Sequence, residues 1–560
     1  MIPDYQRPYA WGEKECLTLW EDLFLFAFPD NDCDKFNSES DEYFLGPIVT
    51  FKNDSGKMEI IDGQQRLTTL MLLLRAFYAK YGNMKNDKAV KTSKIIEQCI
   101  WKTDEFGDPD KNALKIDSEV ATDKDKEEFL NILRTGIVTD NEKSSYANNY
   151  RFFQEKISEF LNAYPDWFSF FPIRIMNNCI LLPIEAESQD TALQIFSTLN
   201  DRGKPLSDAD IFKAQFYKYY SDKGQKDSFI AKWKDLEALC DSIFHPSTGT
   251  PMDELFTRYM YYERAKQGIK SSTTEGLRKF YEKNSYSLLK NEETFENLIN
   301  LANFWNDIQN QSVERFSDRV LRRLFVLNYA PNGMWTYLVS VYYLAKRKKD
   351  GSLDDDEFYM FLSKITAFIW TYAITNPGVN TLRTPAFAEM INVVNNQPVL
   401  FSEYLFNAQQ VQSAFENYLF SNNRAITKSI LTWWAFQSPE QPLLPLETIL
   451  EIEHIFSRSR QDKEHSLSNP RNIEALGNKS LLEKRINIRA SDYRFSDKIK
   501  YYIGFENRRK QKKEGTKIAE LVMLANNFSD FTESNIVQRN AQIIFSFIEF
   551  MRNNHLLKVD

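Results

Sequence analysis

Most of this sequence carries the residue spacing of an amphipathic helix, and that spacing limits the possible folds more than any other feature. Apolar residues recur every three or four positions, as in the run Leu67, Leu70, Met71, Leu74, Phe77 and Tyr78. Glycine weakens helices and is scarce here, with 18 residues among 560, whereas Phe and Tyr number 43 and 27. The spacing therefore predicts a mainly α chain with small α+β parts.

The length of 560 residues exceeds one ordinary core, so we expect several domains. Residues 1–215 mix strand-like and helical segments and are predicted to form an N-terminal α/β domain. Residues 216–440 show helix after helix without a fixed repeat, and we expect this helical region to couple the two ends. Pro439, Pro442 and Pro445 mark a linker at the boundary with residues 441–560, which are predicted to form a smaller helical domain with its own chemistry.

Local patterns within the first domain predict individual elements. They predict a helix near residues 17–28, strands at 43–51, 57–61 and 179–184, and helices from Leu67 and over 191–199. Residues 84–150 are polar and weakly patterned, which predicts a surface excursion of helices and loops. Ser207 is expected to cap the helix that follows it, because its hydroxyl suits an N-cap position.

A polar turn, Asp62-Gly63-Gln64-Gln65-Arg66, joins the apolar pair Ile60-Ile61 to the predicted helix. A helix N-terminus favours an anion, because unpaired N–H groups and the helix dipole both point there. Arg66 offers a planar fork of donors suited to phosphate oxygens, while Gln side chains read a base edge or hold a water. The turn therefore predicts a phosphate or nucleotide site, in which Asp62 holds a metal or orients an arginine.

Two further polar segments bear on this prediction. The segment Tyr5-Gln6-Arg7, followed by Pro8-Tyr9-Ala10-Trp11, repeats the Gln-Arg pair, and Asn200-Asp201-Arg202-Gly203-Lys204 again precedes a helix. If the three turns converge, their cations form a positive pocket that requires an anionic partner. The alternative is that Arg7 and Arg66 form structural ion pairs and that the Asn200 turn is a solvated loop.

A second candidate site surrounds His454. This residue follows Glu453 in a strand-like run, Asn478 lies at a Gly turn before a second apolar run, and Asn487 follows in a predicted helix. This order is the layout of an HNH nuclease, the ββα-metal motif. Phosphodiester hydrolysis needs a base to activate water and a cation to stabilise the phosphate. Neutral His454 is the predicted base, Glu453 and Asn487 the ligands of Mg²⁺ or Mn²⁺, and Asn478 the residue that holds the His454 loop.

Local charge supports a nucleic-acid substrate for this second site. Residues 451–515 contain 16 Lys and Arg against 10 Asp and Glu, a net charge of +6 within a chain of −8. Lys498 or Arg485 is predicted to contact the scissile phosphate. The basic run 508–513 is alternatively a solvated helix face. His465 lies in a polar loop and is expected to be exposed.

The first 215 residues resemble the ParB-like domain with a DGQQR motif found in GmrSD-type restriction proteins and in phosphorothioate-sensing SspE-like proteins. The matching segments are residues 2–11, 44–46, 61–70 and 196–207. The resemblance implies NTP binding and hydrolysis coupled to recognition of modified DNA. It implies a nucleotide site built from Asp62, Gly63, Gln64, Gln65, Arg66, Gln6, Arg7, Asn200, Arg202 and Lys204, with Tyr5, Gln6 and Trp11 sensing the DNA.

The His454 cluster is similar to the C-terminal HNH domain of GmrSD-type proteins. Members carry Asp or Glu before the His, a Gly-Asn-Leu-like step and a further Asn, which Glu453, Asn478 and Asn487 match. Two features depart from the family pattern. Phe456-Ser457 stands where members often have Pro, and the loop 457–474 is longer than in compact HNH motifs. These departures affect the register predicted for the first strand pair.

The expected function is an NTP-dependent or NTP-regulated DNA endonuclease of anti-phage defence, which recognises modified DNA and cuts or nicks it with a metal-dependent HNH site. One alternative is a nucleotide-dependent DNA-binding switch with a degenerate HNH domain. Another is an HNH-type RNase toxin. Discriminating among them requires knowing whether the chain cuts DNA, cuts RNA or only binds.

The expected cofactors are Mg²⁺ or Mn²⁺ and an NTP that the sequence leaves open among GTP, ATP, UTP and CTP. The expected partners are modified phage DNA, the nucleotide, and a second copy of the chain or defence-system proteins. The five cysteines are scattered without metal-type spacing, and no apolar run is long enough for a bilayer. These features predict a cytoplasmic protein with reduced thiols and no membrane partner.

Overall fold

The computed structural model describes the chain except for residues 4–5, 54, 83, 121–122, 124, 189–190, 193–194, 196–206, 272, 377–380, 507–508 and 559–560. The chain divides into two compact units, Met1–Asp235 and Leu236–Asp560. Helices dominate both units, and among the described residues the accompanying sheets have two or three strands. The prediction of a mainly α chain with small α+β parts is confirmed.

The first unit combines a small mixed sheet with surrounding helices. Its helices are α1 (Glu13–Ala27), α2 (Gln64–Tyr81), α3 (Asp87–Ile100), α4 (Lys126–Thr135), α5 (Ser145–Ala163), α6 (Phe170–Asn178) and α7 (Asp208–Asp222). Its strands are β1 (Tyr43–Lys52), β2 (Met58–Asp62), β3 (Trp101–Thr103), β4 (Pro109–Leu114) and β5 (Cys179–Ala186). Strand β1 is central, antiparallel to β2 and parallel to β5, and β3 pairs with β4.

Helix α2 lies at the centre of the first unit's core. Every residue from 68 to 77 is buried, so the helix contacts protein on all sides and packs against α3 and α5. Aromatic rings extend this core, with Trp20 in an edge contact with Phe171 at 5.0 Å between centroids. A helix held this firmly fixes the polar turn that precedes it.

The prediction that residues 84–150 form a surface excursion is wrong. Helices α4 and α5 bury Phe129, Leu133, Tyr146 and Tyr150 in the core that contains α2. Most polar residues of this segment are exposed, so its average composition concealed the apolar helix faces. The other local predictions fared better: the strand at 179–184 is part of β5, and Ser207 caps α7 by accepting a hydrogen bond from Asp210 N. The helix predicted at 191–199 lies mostly outside the described residues.

The second unit is a helical body that ends in a small mixed region. After α8 (Lys226–Ile243), which contains the boundary between the units, its helices are α9 (Pro251–Lys266), α10 (Leu277–Tyr286), α11 (Glu292–Gln309), α12 (Asp318–Leu327), α13 (Met334–Lys346), α14 (Asp355–Thr375), α15 (Arg383–Val394), α16 (Ala408–Asn417), α17 (Ala425–Ala435), α18 (Arg458–Glu464), α19 (Lys484–Ala490), α20 (Phe495–Ile503), α21 (Ala519–Asn527) and α22 (Glu533–Asn553). Its strands are β6 (Leu450–His454), β7 (Lys479–Glu483), β8 (Phe505–Glu506) and β9 (Lys512–Lys513).

Helix α14 forms part of the interior of this second unit. It packs against α12, α16, α17 and α22, and Ile365, Phe368 and Trp370 on it are buried. These contacts explain why α14 is apolar on most sides, since a helix buried in a core has no face in water. Within the described residues, no helix combines the length and the apolar character that a membrane crossing requires.

Strands β6 and β7 run antiparallel, with His454 opposite Lys479, and α19 follows β7 directly. The predicted order of strand, strand and helix is therefore present. A 3-10 turn, Leu476–Asn478, precedes β7 and packs against α22. This packing fixes the end of the strand pair where His454 lies.

Candidate active site

The polar turn that was predicted to bind a nucleotide lies between β2 and α2. Gly63 caps the helix with φ of 89°, in the left-handed region that glycine adopts most easily. An added Cβ would lie 3.1 Å from Ile48 Cγ1 and 3.2 Å from Pro47 O. Both conformation and space therefore require glycine here, and the sharp turn places Asp62 at the strand end and Gln64 at the helix start.

The glutamines of this region join the N-terminal segment to the turn. Gln65 accepts a hydrogen bond from Ala10 N at 2.7 Å through Oε1 and donates to Pro8 O at 3.1 Å through Nε2. Gln6 donates to Ile61 O at 3.1 Å, and both side chains are buried. Since the amide of Gln65 has both ends bound to main chain, its role in this structure is to position the segment beside the turn.

Charged groups surround the turn. Arg66 donates to a carbonyl of β1 at 3.0 Å, and Gly46 allows this approach, because a Cβ there would lie 3.0 Å from the guanidinium. Burial raises the pKa of Asp62, while the following N–H and the charges of Arg66 and Arg7 oppose that rise. Gln64 Nε2 lies 3.5 Å from Arg7 O. The structure thus brings Asp62, Arg66 and Arg7 into one electrostatic group.

The remaining residues predicted for the nucleotide and DNA sites are placed only in part. Trp11 is half-buried, and its carbonyl accepts a hydrogen bond from Asn149 Nδ2 at 2.8 Å. Tyr5, Asn200, Arg202 and Lys204 lie outside the described residues. The convergence of the three polar turns therefore stays a prediction.

Asn478 holds the chain on both sides of the second candidate site. Its Oδ1 accepts from Phe456 N at 2.7 Å, and its Nδ2 donates to Phe456 O and to Ile473 O, each at 3.1 Å. The main chain adds a bond from Ile455 N to Asn478 O at 2.9 Å. A fully buried amide with all these partners fixes the path of the chain just after His454.

His454 lies at the end of β6 in a largely buried, charged environment. Its Nε2 lies 3.6 Å from Glu474 Oε1 and has no hydrogen-bond partner among the described residues. Burial lowers the pKa of His454 well below its usual range, and the positive charges of Lys479 and Arg458 lower it further. The imidazole is therefore neutral at neutral pH, and its buried Nε2 makes no hydrogen bond to a described residue.

Glu474 is held beside this imidazole by two cations. Lys479 Nζ lies 2.5 Å from Glu474 Oε2, and Arg458 binds the other oxygen. Burial would raise the pKa of Glu474, but the hydrogen bond and charge of Lys479, together with Arg458, lower it overall. Lys479 is fully buried and also donates to Asn422 Oδ1 at 2.9 Å. The result is a fixed carboxylate that faces the histidine.

Glu453 and Lys498 form a buried ion pair. Lys498 Nζ lies 2.7 Å from Glu453 Oε1 and also 2.7 Å from the carbonyl oxygen of His454. The side chain of Lys498 is 1% exposed and that of Glu453 is 4% exposed. Tyr502 donates to the same Glu453 oxygen at 2.5 Å. Burial raises the pKa of Glu453, and Lys498 opposes that rise. The structure thus places Lys498 in the interior, although it was predicted to contact a phosphate.

The two predicted metal ligands bind different partners. Asn487 on α19 donates through Nδ2 to Glu451 Oε2 at 2.8 Å, whereas Glu453 binds Lys498 and Tyr502. A carboxylate that is already neutralised by an ammonium group does not fit as a ligand of a divalent cation. Over the part of the chain that the structure describes, no cluster of three or more His, Cys, Asp or Glu side chains has metal-binding geometry.

Several contributors to this site carry no local sequence signal. Arg539 on α22 donates to the carbonyl oxygens of Leu476 and Lys479 at 2.8 Å and lies 2.7 Å from Glu520, so it clamps the turn before β7. In the sequence, Glu474 is simply the last residue of the polar loop 457–474. The contacts of Glu474 and Arg539 become visible only once the chain is folded, since their partners are distant in sequence.

Two arginines of the region around the second candidate site are exposed. Arg485 on α19 is exposed, and Arg458 is half-exposed beside Glu474. His465 is exposed, which confirms that prediction. Arg508, which begins the basic run, lies outside the described residues. Arg458 therefore places an exposed cation beside Glu474, the carboxylate that faces His454.

Two family models match this chain. The model described as GmrSD restriction endonuclease, N-terminal domain, matches residues 1–217, and the model described as GmrSD restriction endonucleases, C-terminal domain, matches residues 394–544. The first span contains the polar turn after β2, and the second contains the His454 cluster. A search of curated proteins finds no match.

Proposed function

The chain has the two-domain architecture of the GmrSD-type restriction endonucleases, and from this premise we propose that it cuts DNA with the His454 cluster. One observation carries the proposal. Within the matched C-terminal domain, His454 has a neutral imidazole whose Nε2 is buried and has no hydrogen-bond partner among the described residues. A general base needs such a nitrogen, because it must accept a proton from the attacking water.

The surrounding residues support this role. When Nε2 takes a proton, the imidazolium that forms faces the carboxylate of Glu474 at 3.6 Å, which stabilises its charge. Asn478 fixes the chain after His454, and Lys498 holds the carbonyl of His454 from the interior. Exposed Arg485 and half-exposed Arg458 contact the phosphate oxygens of the substrate in this proposal.

A divalent cation, Mg²⁺ or Mn²⁺, is part of the proposal on chemical grounds. It would supply charge neutralisation at the scissile phosphate. The predicted ligand Glu453 does not fit this task as placed, because its charge is neutralised by Lys498, and no step is assigned to it. The metal requirement is tested by measuring DNA cleavage at increasing Mg²⁺ or Mn²⁺ concentrations and again after a chelator has removed the metal.

Nucleotide binding and recognition of modified DNA are proposed for residues 1–215. The group formed by Asp62, Arg66 and Arg7 at the start of α2 supports binding of a nucleotide phosphate. Residues 216–440 would couple this domain to the nuclease domain, residues 441–560. Anti-phage defence in the cytoplasm, with a second copy or partner proteins, completes the proposal.

Substitution of His454 tests the nuclease assignment directly. His454→Ala is expected to lower cleavage of modified phage DNA by at least about 100-fold, because a general base typically contributes that much. His465→Ala is the matched control, since His465 is exposed in the same region, and it should cleave at the native rate. Equal cleavage by both variants would exclude His454 as the base.

Offering both DNA and RNA in the same assay distinguishes the nuclease proposal from its two alternatives, an RNase and a DNA-binding switch. Cleavage of RNA in preference to DNA would replace the proposal with an RNase. Nucleotide-dependent DNA binding without cleavage under any metal condition would replace it with a DNA-binding switch.

A further inference from the structure

The second unit contains two adjoining cavities that the proposed nuclease does not use. The inner cavity has a volume of about 160 Å³ and the outer one about 310 Å³. Ile243, Phe244 and Arg258 line both, so these residues stand where the two spaces meet. The cavities lie between helices of one unit, which is a common place for a small-molecule site.

Arg258 on α9 is the polar centre of these cavities. Its side chain is 9% exposed, and its Nε donates to Glu254 Oε1 at 2.8 Å. Its Nη1 is buried and has no hydrogen-bond partner among the described residues. A buried donor without an acceptor is unfavourable. The guanidinium is fixed by stacking, 4.1 Å from the ring centroid of Trp305 and 4.6 Å from that of Phe244.

Two tryptophans line the inner cavity. Trp305 and Trp335 line it and contact each other at 5.6 Å between centroids. Trp305 Nε1 donates to Ser340 Oγ at 2.9 Å, which holds the ring in one orientation. Leu321 and Leu324 complete the apolar lining. Rigid aromatic faces of this kind favour a planar ring, which stacks on them.

The outer cavity is polar. His245, Ser247 and Thr248 line it together with Glu254 and Arg258. Glu254 and Arg258 offer an acceptor and a donor side by side, and their charges offset each other. This pairing suits a neutral planar edge that carries both a donor and an acceptor, while the hydroxyl groups suit a sugar.

We propose that these cavities bind a pyrimidine base, with the ring in the inner cavity and its sugar in the outer one. The size supports a single ring, because a cavity of about 150 Å³ holds benzene. The base could come from a free nucleoside or nucleotide, or from a nucleotide extruded from DNA; both present the same ring and edge. The inference does not rest on the proposed nuclease, since binding is measured without cleavage.

Calorimetric titration of the full-length chain tests the site. Cytidine and thymidine are expected to bind, and guanosine about tenfold or more weakly, because its two-ring base exceeds the inner cavity. Arg258→Met is expected to weaken pyrimidine binding about tenfold, the loss of one hydrogen bond in a buried site. Arg258→Lys should bind with intermediate affinity, because it retains the charge but not the planar fork.

Gln309→Trp provides a second variant that leaves the core intact. Gln309 is exposed and lines the inner cavity, so a tryptophan there should fill the cavity and abolish pyrimidine binding. Glu296→Trp, on an exposed position of the same helix α11, is the matched control and should bind as the native chain does. Circular dichroism and urea unfolding establish that each variant is folded.

The two sources of the base are separated with DNA duplexes, using the His454→Ala chain. A duplex with a mismatched cytosine that binds more tightly than its matched counterpart, and that competes with cytidine, identifies an extruded base. Competition by free nucleosides alone identifies a free ligand. Absence of binding by every pyrimidine probe, or native affinity in both the Arg258→Met and Gln309→Trp variants, would overturn the proposal.

Discussion

At the scale of single residues, burial decides what a charged side chain does in this protein. Lys498 and Glu453 were predicted to touch the substrate and a metal, but both are buried and lie 2.7 Å apart. Two charges withdrawn from water are stable only as long as each keeps its partner. Lys498 therefore acts on the site by holding Glu453 and the carbonyl of His454.

Removing one partner of this pair should destabilise the fold. Lys498→Met is expected to lower the free energy of unfolding by about 3–5 kcal/mol, because it leaves the buried Glu453 carboxylate without its cation. The double variant Lys498→Met with Glu453→Gln should recover much of that loss, and urea unfolding measures both. A single variant as stable as the native chain would mean that Lys498 is free to contact a phosphate after all.

The pKa of His454 sets the pH dependence of the proposed cleavage. Burial, Lys479 and Arg458 lower that pKa, so the imidazole stays neutral as the pH falls through the usual histidine range near 6.5. Cleavage should therefore be retained below pH 6.5 and be lost only when the pH falls through the lower pKa of the folded state. The rate measured against pH locates this loss.

Arg458→Gln removes one of the positive charges that lower the pKa of His454. The acid limb of the pH–rate profile should therefore move to higher pH, toward the ordinary histidine value. Arg494→Gln is the matched control, since Arg494 is also half-exposed but pairs with Glu464. Identical profiles for the two variants would contradict the electrostatic account.

At the scale of elements, the sequence predicted what depends on neighbouring residues. The spacing around Leu67–Tyr78 predicted α2, and local patterns predicted β1, β2 and β5. The order of β6, β7 and α19 followed from the residues around His454, Asn478 and Asn487. The contacts of Glu474 and Arg539 depend on partners elsewhere in the fold. The prediction for residues 84–150 was wrong for a related reason. Polar residues dominate the composition of this segment, and its apolar residues reach the core only through contacts with distant helices.

The turn before β7 packs tightly against α22, which is distant in sequence. Gly477 lies against α22, and a Cβ there would lie 2.0 Å from Ile536 O and 2.7 Å from Asn540 N. Gly477→Ala is therefore expected to lower the free energy of unfolding by about 3 kcal/mol or more, since main chain on both sides would have to move.

Gly333→Ala is the control for this substitution. A Cβ at Gly333 meets nothing within 4 Å, so only the helix-cap preference changes, which costs about 1 kcal/mol or less. Urea unfolding compares the two variants, and cleavage measured below the unfolding transition reports the displacement of Asn478. Equal stability of the two variants would show that the turn before β7 moves away from α22 at little cost.

At the scale of the whole molecule, the two candidate sites lie in different units. The polar turn of residues 62–66 belongs to Met1–Asp235, and His454 belongs to Leu236–Asp560. Residues 451–515 carry a positive net charge in a chain whose total is −8, so charge concentrates where the substrate is proposed to bind. If the first unit binds nucleotide and the second cuts DNA, as proposed, the two activities should respond differently to substitution.

Arg66→Ala and His454→Ala are expected to separate the two activities. Loss of the guanidinium at the start of α2 should lower NTP turnover at least about tenfold, because a charged hydrogen bond to phosphate contributes about 1.5–3 kcal/mol. His454→Ala should abolish cleavage and leave NTP turnover near the native rate, since His454 lies in the other unit. Arg134→Ala, an exposed arginine on α4, is the matched control for the first unit. Loss of NTP turnover in the His454 variant, with turnover retained in the Arg66 variant, would reverse the proposed roles of the two sites.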